Sequence, residues 1–125
     1  MRLLLLIFFL SALTQIAGSQ TRFQKADDAY DSALLTYRSE EYRSTLTHLS
    51  SSIALYPTDR AYYLQGLTFH AIDQNLRAVA CFEMVLKLNP YFLEAKYLKA
   101  LLYLRYGNAE NAVEDLTELI ENSGP

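Results

Sequence analysis

Pro57 and Pro90 stand 33 residues apart, each closing an apolar stretch with helical spacing. A proline in a helix interior removes a hydrogen bond and costs about 3 kcal/mol. Each proline therefore marks a joint between helices rather than a point inside one. Residues 26–57 shifted by 33 align with 59–90, and a further shift of 34 reaches 93–124. Two columns of this alignment hold only small residues: Ala33, Gly66 and Ala100, and Thr45, Ala78 and Ala112. Three hold large apolar residues: Leu49, Phe82 and Leu116; Ile53, Leu86 and Ile120; Leu46, Val79 and Val113. One is all tyrosine (Tyr30, Tyr63, Tyr97) and one all leucine (Leu34, Leu67, Leu101). Such agreement at one period is the signature of a repeat architecture.

Within each repeat the apolar residues recur every three to four positions, the helical period. Polar breaks divide each repeat into two segments: "SEEY", "DQN" and "YGNAEN", where Gly107 suits a left-handed helix ending. Each repeat thus reads as two antiparallel helices, over 22–38 and 42–56, 59–73 and 76–88, and 91–106 and 109–122. The small columns fit close helix crossings, so a large residue at Gly66 is expected to overpack. Asp59 and Asn89 are candidate caps beside the proline joints.

The N-terminal residues follow a different rule. "MRLLLLIFFLSALTQIAGSQ" has one cation, Arg2, a nearly unbroken apolar run from Leu3 to Leu13, and Ala17 and Ser19 two apart. This is the layout of a secretory signal peptide over residues 1–19, cut before Gln20. The alternative is an uncleaved membrane anchor. Removing residues 1–19 takes away Arg2, leaving ten cations against fourteen acids and a net charge of −4 for residues 20–125. That charge argues against a nucleic-acid partner. The one cysteine, Cys81, allows no internal disulfide. Export to a bacterial periplasm, a secretory lumen or the outside is the expectation, with membrane attachment if the leader stays.

The middle repeat, "AYYLQGLTFHAIDQNLRAVACFEMVLKLNP", resembles the tetratricopeptide repeat family through Tyr62, Gly66, Phe69, Ala78, Phe82 and Pro90. The third repeat is similar through Ala100, Tyr103, Gly107, Ala112 and Leu116. The first departs from the pattern, with Ser32, Thr36, Thr45 and Ser52 where larger or tighter-packing residues are usual. The resemblance implies an all-α, right-handed superhelix of about three antiparallel helix pairs. The repeats fall at about 26–58, 59–92 and 93–125 within one domain, 20–125. It also implies a concave groove, lined by the first helix of each pair, that takes a peptide or helix of a partner protein.

Carried onto this sequence, the groove slots are Tyr30, Leu34 and Tyr37, then Tyr63, Leu67 and His70, then Tyr97, Leu101 and Leu104. Arg38 and Arg105 fall near the edge. Relatives that clamp a chaperone's terminal carboxylate carry lysine and asparagine in slots held here by tyrosine and leucine, so that clamp is absent. A tyrosine-rich apolar groove suits an amphipathic or extended segment. The alternative is that these side chains pack between adjacent repeats and hold no ligand.

No cofactor, metal or catalytic role is expected. His48 and His70 lie in different repeats, no Cys/His cluster has metal spacing, and no glycine-rich phosphate loop is present. Cys81 beside Phe82 reads as a buried, inert thiol, and the acidic pairs Asp27–Asp28 and Glu40–Glu41 as solvated faces. Val113, Leu116, Leu119 and Ile120 give the final helix an apolar side where repeat arrays usually carry a polar cap. That leaves a second expectation: self-association through this helix as a homo-oligomeric structural subunit, or continuation of the array in a longer protein.

Overall fold

The computed structural model describes residues 1–123; the last two residues of the third repeat lie outside them. Six helices follow in order: α1 (Arg2–Arg38), α2 (Tyr42–Leu55), α3 (Asp59–Ala71), α4 (Asn75–Leu88), α5 (Leu93–Arg105) and α6 (Ala109–Asn122). There is no strand among the described residues. The closest packing is within the pairs α1/α2, α3/α4 and α5/α6, and each pair also packs on the next through α2/α3 and α4/α5. The fold is an all-α solenoid of three helical hairpins.

Five helices begin and end within three residues of the sequence expectation. The first does not. It was expected over 22–38 and instead starts at Arg2, running unbroken for 37 residues. The physical reason is that nothing between Thr14 and Arg22 stops a helix. Gly18 alone costs about 1 kcal/mol, and no proline intervenes.

All three within-repeat turns have the same backbone. Glu40 (φ 59°), Asp73 (φ 60°) and Gly107 (φ 76°) each occupy the left-handed region. The amides after each helix fold back onto its last turn. Glu40 N donates to Tyr37 O at 3.0 Å and Glu41 N to Thr36 O at 2.9 Å; Asp73 and Gln74, then Gly107 and Asn108, repeat the pair. These are Schellman endings. The first turn forms without the glycine the third repeat has.

The joints between repeats use the prolines as expected, since neither Pro57 nor Pro90 lies in a helix. Of the two expected caps, Asn89 is the C-cap of α4 but Asp59 does not cap α3. Thr58, extended at φ −132° and ψ 152°, caps α3 by accepting from Ala61 N at 3.2 Å. Asp59 is already the first helical residue and Asn89 follows the end of α4; their side chains bind each other at 3.0 Å, tying α4's end to α3's start. The cap position demands an extended backbone, and Thr58, directly after Pro57, has it.

The small columns are the helix crossings. Ala33, Ala100, Thr45, Ala78 and Ala112 are all 0% exposed. Phe82 fills the space beside Gly66, at 1% exposure. The first repeat reaches the same geometry with hydroxyls. Thr45 Oγ1 and Thr36 Oγ1 are hydrogen-bonded at 3.0 Å across the α1/α2 crossing. Buried Ser52 donates to Ala26 O at 2.7 Å. Polar groups in a core are tolerated when each is paired, which is how a repeat this far from the pattern keeps the fold.

Candidate functional site

Successive first helices α1, α3 and α5 carry the groove-slot residues at equivalent positions, but neighbours treat them differently. Tyr30, Leu34 and Tyr37 pack half-buried against a core of Ala33, Leu49, Ala61 and Leu64. The Arg60 guanidinium lies 4.4 Å over the Tyr30 ring and also pairs with Asp27. One side chain of the second repeat thus clamps two of the first, a cation–π contact worth about 0.5–1 kcal/mol. Tyr37 meets the ring of Tyr42 edge-on at 5.8 Å. Tyr63 sits between Phe82, at 6.0 Å, and Phe92, at 4.8 Å. Leu67 packs on the same core as Tyr63. Burial raises the pKa of Tyr30, Tyr37 and Tyr63 above the ordinary phenol value; for Tyr30 the nearby Arg60 charge partly opposes it. In the first two repeats, then, the aromatic slots are spent largely on packing repeat to repeat.

The third repeat has no successor among the described residues, and its slots are open. Tyr97 is 50%, Leu101 40% and Leu104 46% exposed. His70 is exposed as well, with Nδ1 2.6 Å from Oδ1 of buried Asn75. Asn75 also donates to Asp73 and to the Tyr106 hydroxyl, tying the α3/α4 turn to the end of α5.

One partly open hollow, about 140 Å³, joins slots of two repeats. His70 and Leu101 line it together with Phe82, Leu98, Leu102 and Arg105. It is an apolar recess carrying one guanidinium. Leu98 and Leu102 were missed by reasoning from the sequence, although Leu98 repeats Leu64 at the 34-residue shift. Arg60 and Phe92 were missed too: Arg60 reaches Tyr30 from the next repeat and Phe92 reaches Tyr63 from the start of α5, and a column of like residues does not reveal a diagonal neighbour.

Elsewhere the chemistry is quiet. Burial pushes the Cys81 thiol up to about 11, and its Sγ donates to Gln65 Oε1 at 3.3 Å. In the third repeat Lys99 and Asp115 occupy the positions of Gln65 and Cys81 and pair at 3.0 Å. Lys96, 8% exposed, pairs with Glu118 and holds that carboxyl below its usual range.

Three stacked helical hairpins with small residues at each crossing define an α-solenoid of the repeat type. The Tetratricopeptide repeat family model matches residues 59–92 and 93–123, more than half of the chain. The chain belongs to the tetratricopeptide repeat family. Residues 26–58 lie outside both matches yet form the same hairpin. No curated protein sequence matches. Among solved structures the chain is similar to a crystal structure of MamA, at TM-score 0.77 and 23% identity over 79% of this chain and 58% of that one. A second MamA crystal structure gives 0.73 at 23% identity, over 78% and 54%. MamA residues 41 to the end from Desulfovibrio magneticus RS-1 gives 0.69 at 20%, over 88% and 69%. At these identities the likeness is one of fold. The chain spans little more than half the length of the first two.

Proposed function

We propose that this chain is a protein-interaction scaffold whose concave side, at the junction of its second and third repeats, takes an apolar side chain of a partner segment. The observation that carries this reading is the hollow lined by His70 and Leu101, the latter on the helix that also exposes Tyr97 and Leu104. Its apolar lining suits an aliphatic anchor. Arg105 suits an acidic residue or carboxylate beside that anchor. The open aromatic and leucine surface around it gives contact area at small entropic cost. Micromolar affinity, about −8 kcal/mol, is the scale to expect of so shallow a groove.

The test is capture with the full chain and with a Leu101→Lys/Leu104→Lys variant. Both positions are exposed enough that the fold survives the change, unlike Tyr63 and Leu67, which pack between repeats. A partner held by the wild type and by Leu76→Lys, changed at an exposed residue outside the groove slots, but lost by the double variant supports the reading. Retention by the double variant refutes it.

A second reading is favoured by α6, where Val113 is 60% and Ile120 74% exposed. Their counterparts Val79 and Leu86 are covered by the next repeat. That surface suits self-association through the last helix. Light scattering decides: a monomer at high concentration excludes it, and a dimer dispersed by Ile120→Lys supports it.

A further inference from the structure

We infer that the N-terminal segment of α1, residues 3–21, is a membrane span that remains attached to the repeats. This inference stands apart from what the concave side binds. Every residue from Met1 to Lys25 is exposed, and the first buried residue of α1 is Ala26. Leu3 to Leu10 are eight consecutive apolar residues. At 100° per residue they point in every direction around the helix, so no single protein face could cover them. A solvent that surrounds the helix is needed, and a lipid bilayer is one.

The dimensions agree. Between Arg2 and Arg22 the sequence carries no charge. Those 20 steps rise about 30 Å along a helix, the thickness of a bilayer's hydrocarbon core. The segment's hydroxyls are also prepared for it. Ser11 donates to Phe8 O at 2.9 Å, Thr14 to Ser11 O at 2.8 Å, Ser19 to Ile16 O at 2.9 Å and Thr21 to Ala17 O at 2.8 Å. Each donor is satisfied within the helix, which removes most of its cost in lipid. Gln15 and Gln20 remain as uncharged polar groups.

The junction with the repeats has the character of a membrane interface. Directly after the apolar segment come Arg22, Phe23 and Lys25. Phe23 meets Tyr56 edge-on at 5.2 Å, and both rings are about half exposed. Arg22 reaches back to donate to Leu55 O at 3.4 Å. Aromatic rings and cations at one level are the usual anchors at the headgroup boundary. The bond between Ser19 and Gln20 lies inside continuous helix, and the state of that bond in the cell is what separates a retained span from a cut leader.

The experiment uses the full chain with a C-terminal epitope in its own cells. Membranes are washed with alkaline carbonate and floated through a density gradient, and the floated protein's N-terminus is read by mass spectrometry. The expected result is a chain that floats after the wash and still contains residues 1–19. A chain beginning at Gln20, or an intact one released by carbonate, overturns the inference. A Leu6→Arg/Phe9→Arg variant should lose flotation while its repeats keep their helical circular dichroism; Leu76→Arg should float as the wild type does. A double variant that floats undiminished also overturns it.

Discussion

A Cβ built on Gly66 would lie 2.6 Å from Cε1 of Phe82 and 2.9 Å from its Cδ1. The Phe82 ring, 1% exposed and packed against the core, must shift to make room. Gly66→Ala should therefore lower the urea midpoint, its overpacking cost of about 1–3 kcal/mol exceeding the helix propensity gained. A raised midpoint would show that the crossing is looser than this. Glu40 presents the opposite case. It holds a left-handed conformation that costs a side-chain-bearing residue about 1–2 kcal/mol, so Glu40→Gly should stabilise the chain by roughly 1 kcal/mol in the same assay. Tyr103 supplies a pH test. Burial, then its hydrogen bond to Glu83 at 2.9 Å, raise its pKa from 10.0 to about 12. The folded state favours the neutral phenol. That contribution is full below pH 10 and lost as pH climbs through about 12. Spectrophotometric titration of Tyr103→Phe should lack the latest tyrosinate step of the wild type.

At the scale of the helices, the sequence was legible where one physical demand acts on each repeat alike. Close crossings demand small residues, so Ala33, Gly66 and Ala100 line up and the helix pairs can be read. Proline cannot continue a helix, so Pro57 and Pro90 mark the joints. The start of α1 was illegible for the converse reason. The apolar segment and the first repeat are both good helix, and no residue between them says where one ends. The fate of the groove slots was illegible too, because it belongs to neighbours. Tyr63 and Tyr97 are the same residue at the same repeat position, yet the first is half-buried beside Phe92 and the second is 50% exposed. Thr58 lost out to Asp59 as the expected cap since both are good capping residues and only the backbone angles separate them. Among α3 to α6, hydrogen exchange should follow the packing of elements: slowest in α3 and α4, which have a hairpin on either side, and fastest in α6, which packs chiefly on α5. Uniform protection across α3 to α6 would mean that the hairpins unfold as a single unit.

For the whole molecule, α1 matters beyond the residues it buries. It is one rod of 37 residues, about 55 Å at the helical rise, and it contains no hinge. Most tethered domains hang from a flexible linker and sample a volume set by its length. Here the first repeat is the rod's own continuation. Wherever the apolar end is gripped, tilting or turning that end swings the concave side by the same angle. With residues 3–21 held as the inferred membrane span, the aim of the proposed binding face follows the angle of that grip, since α1 runs unbroken from the span into the first repeat.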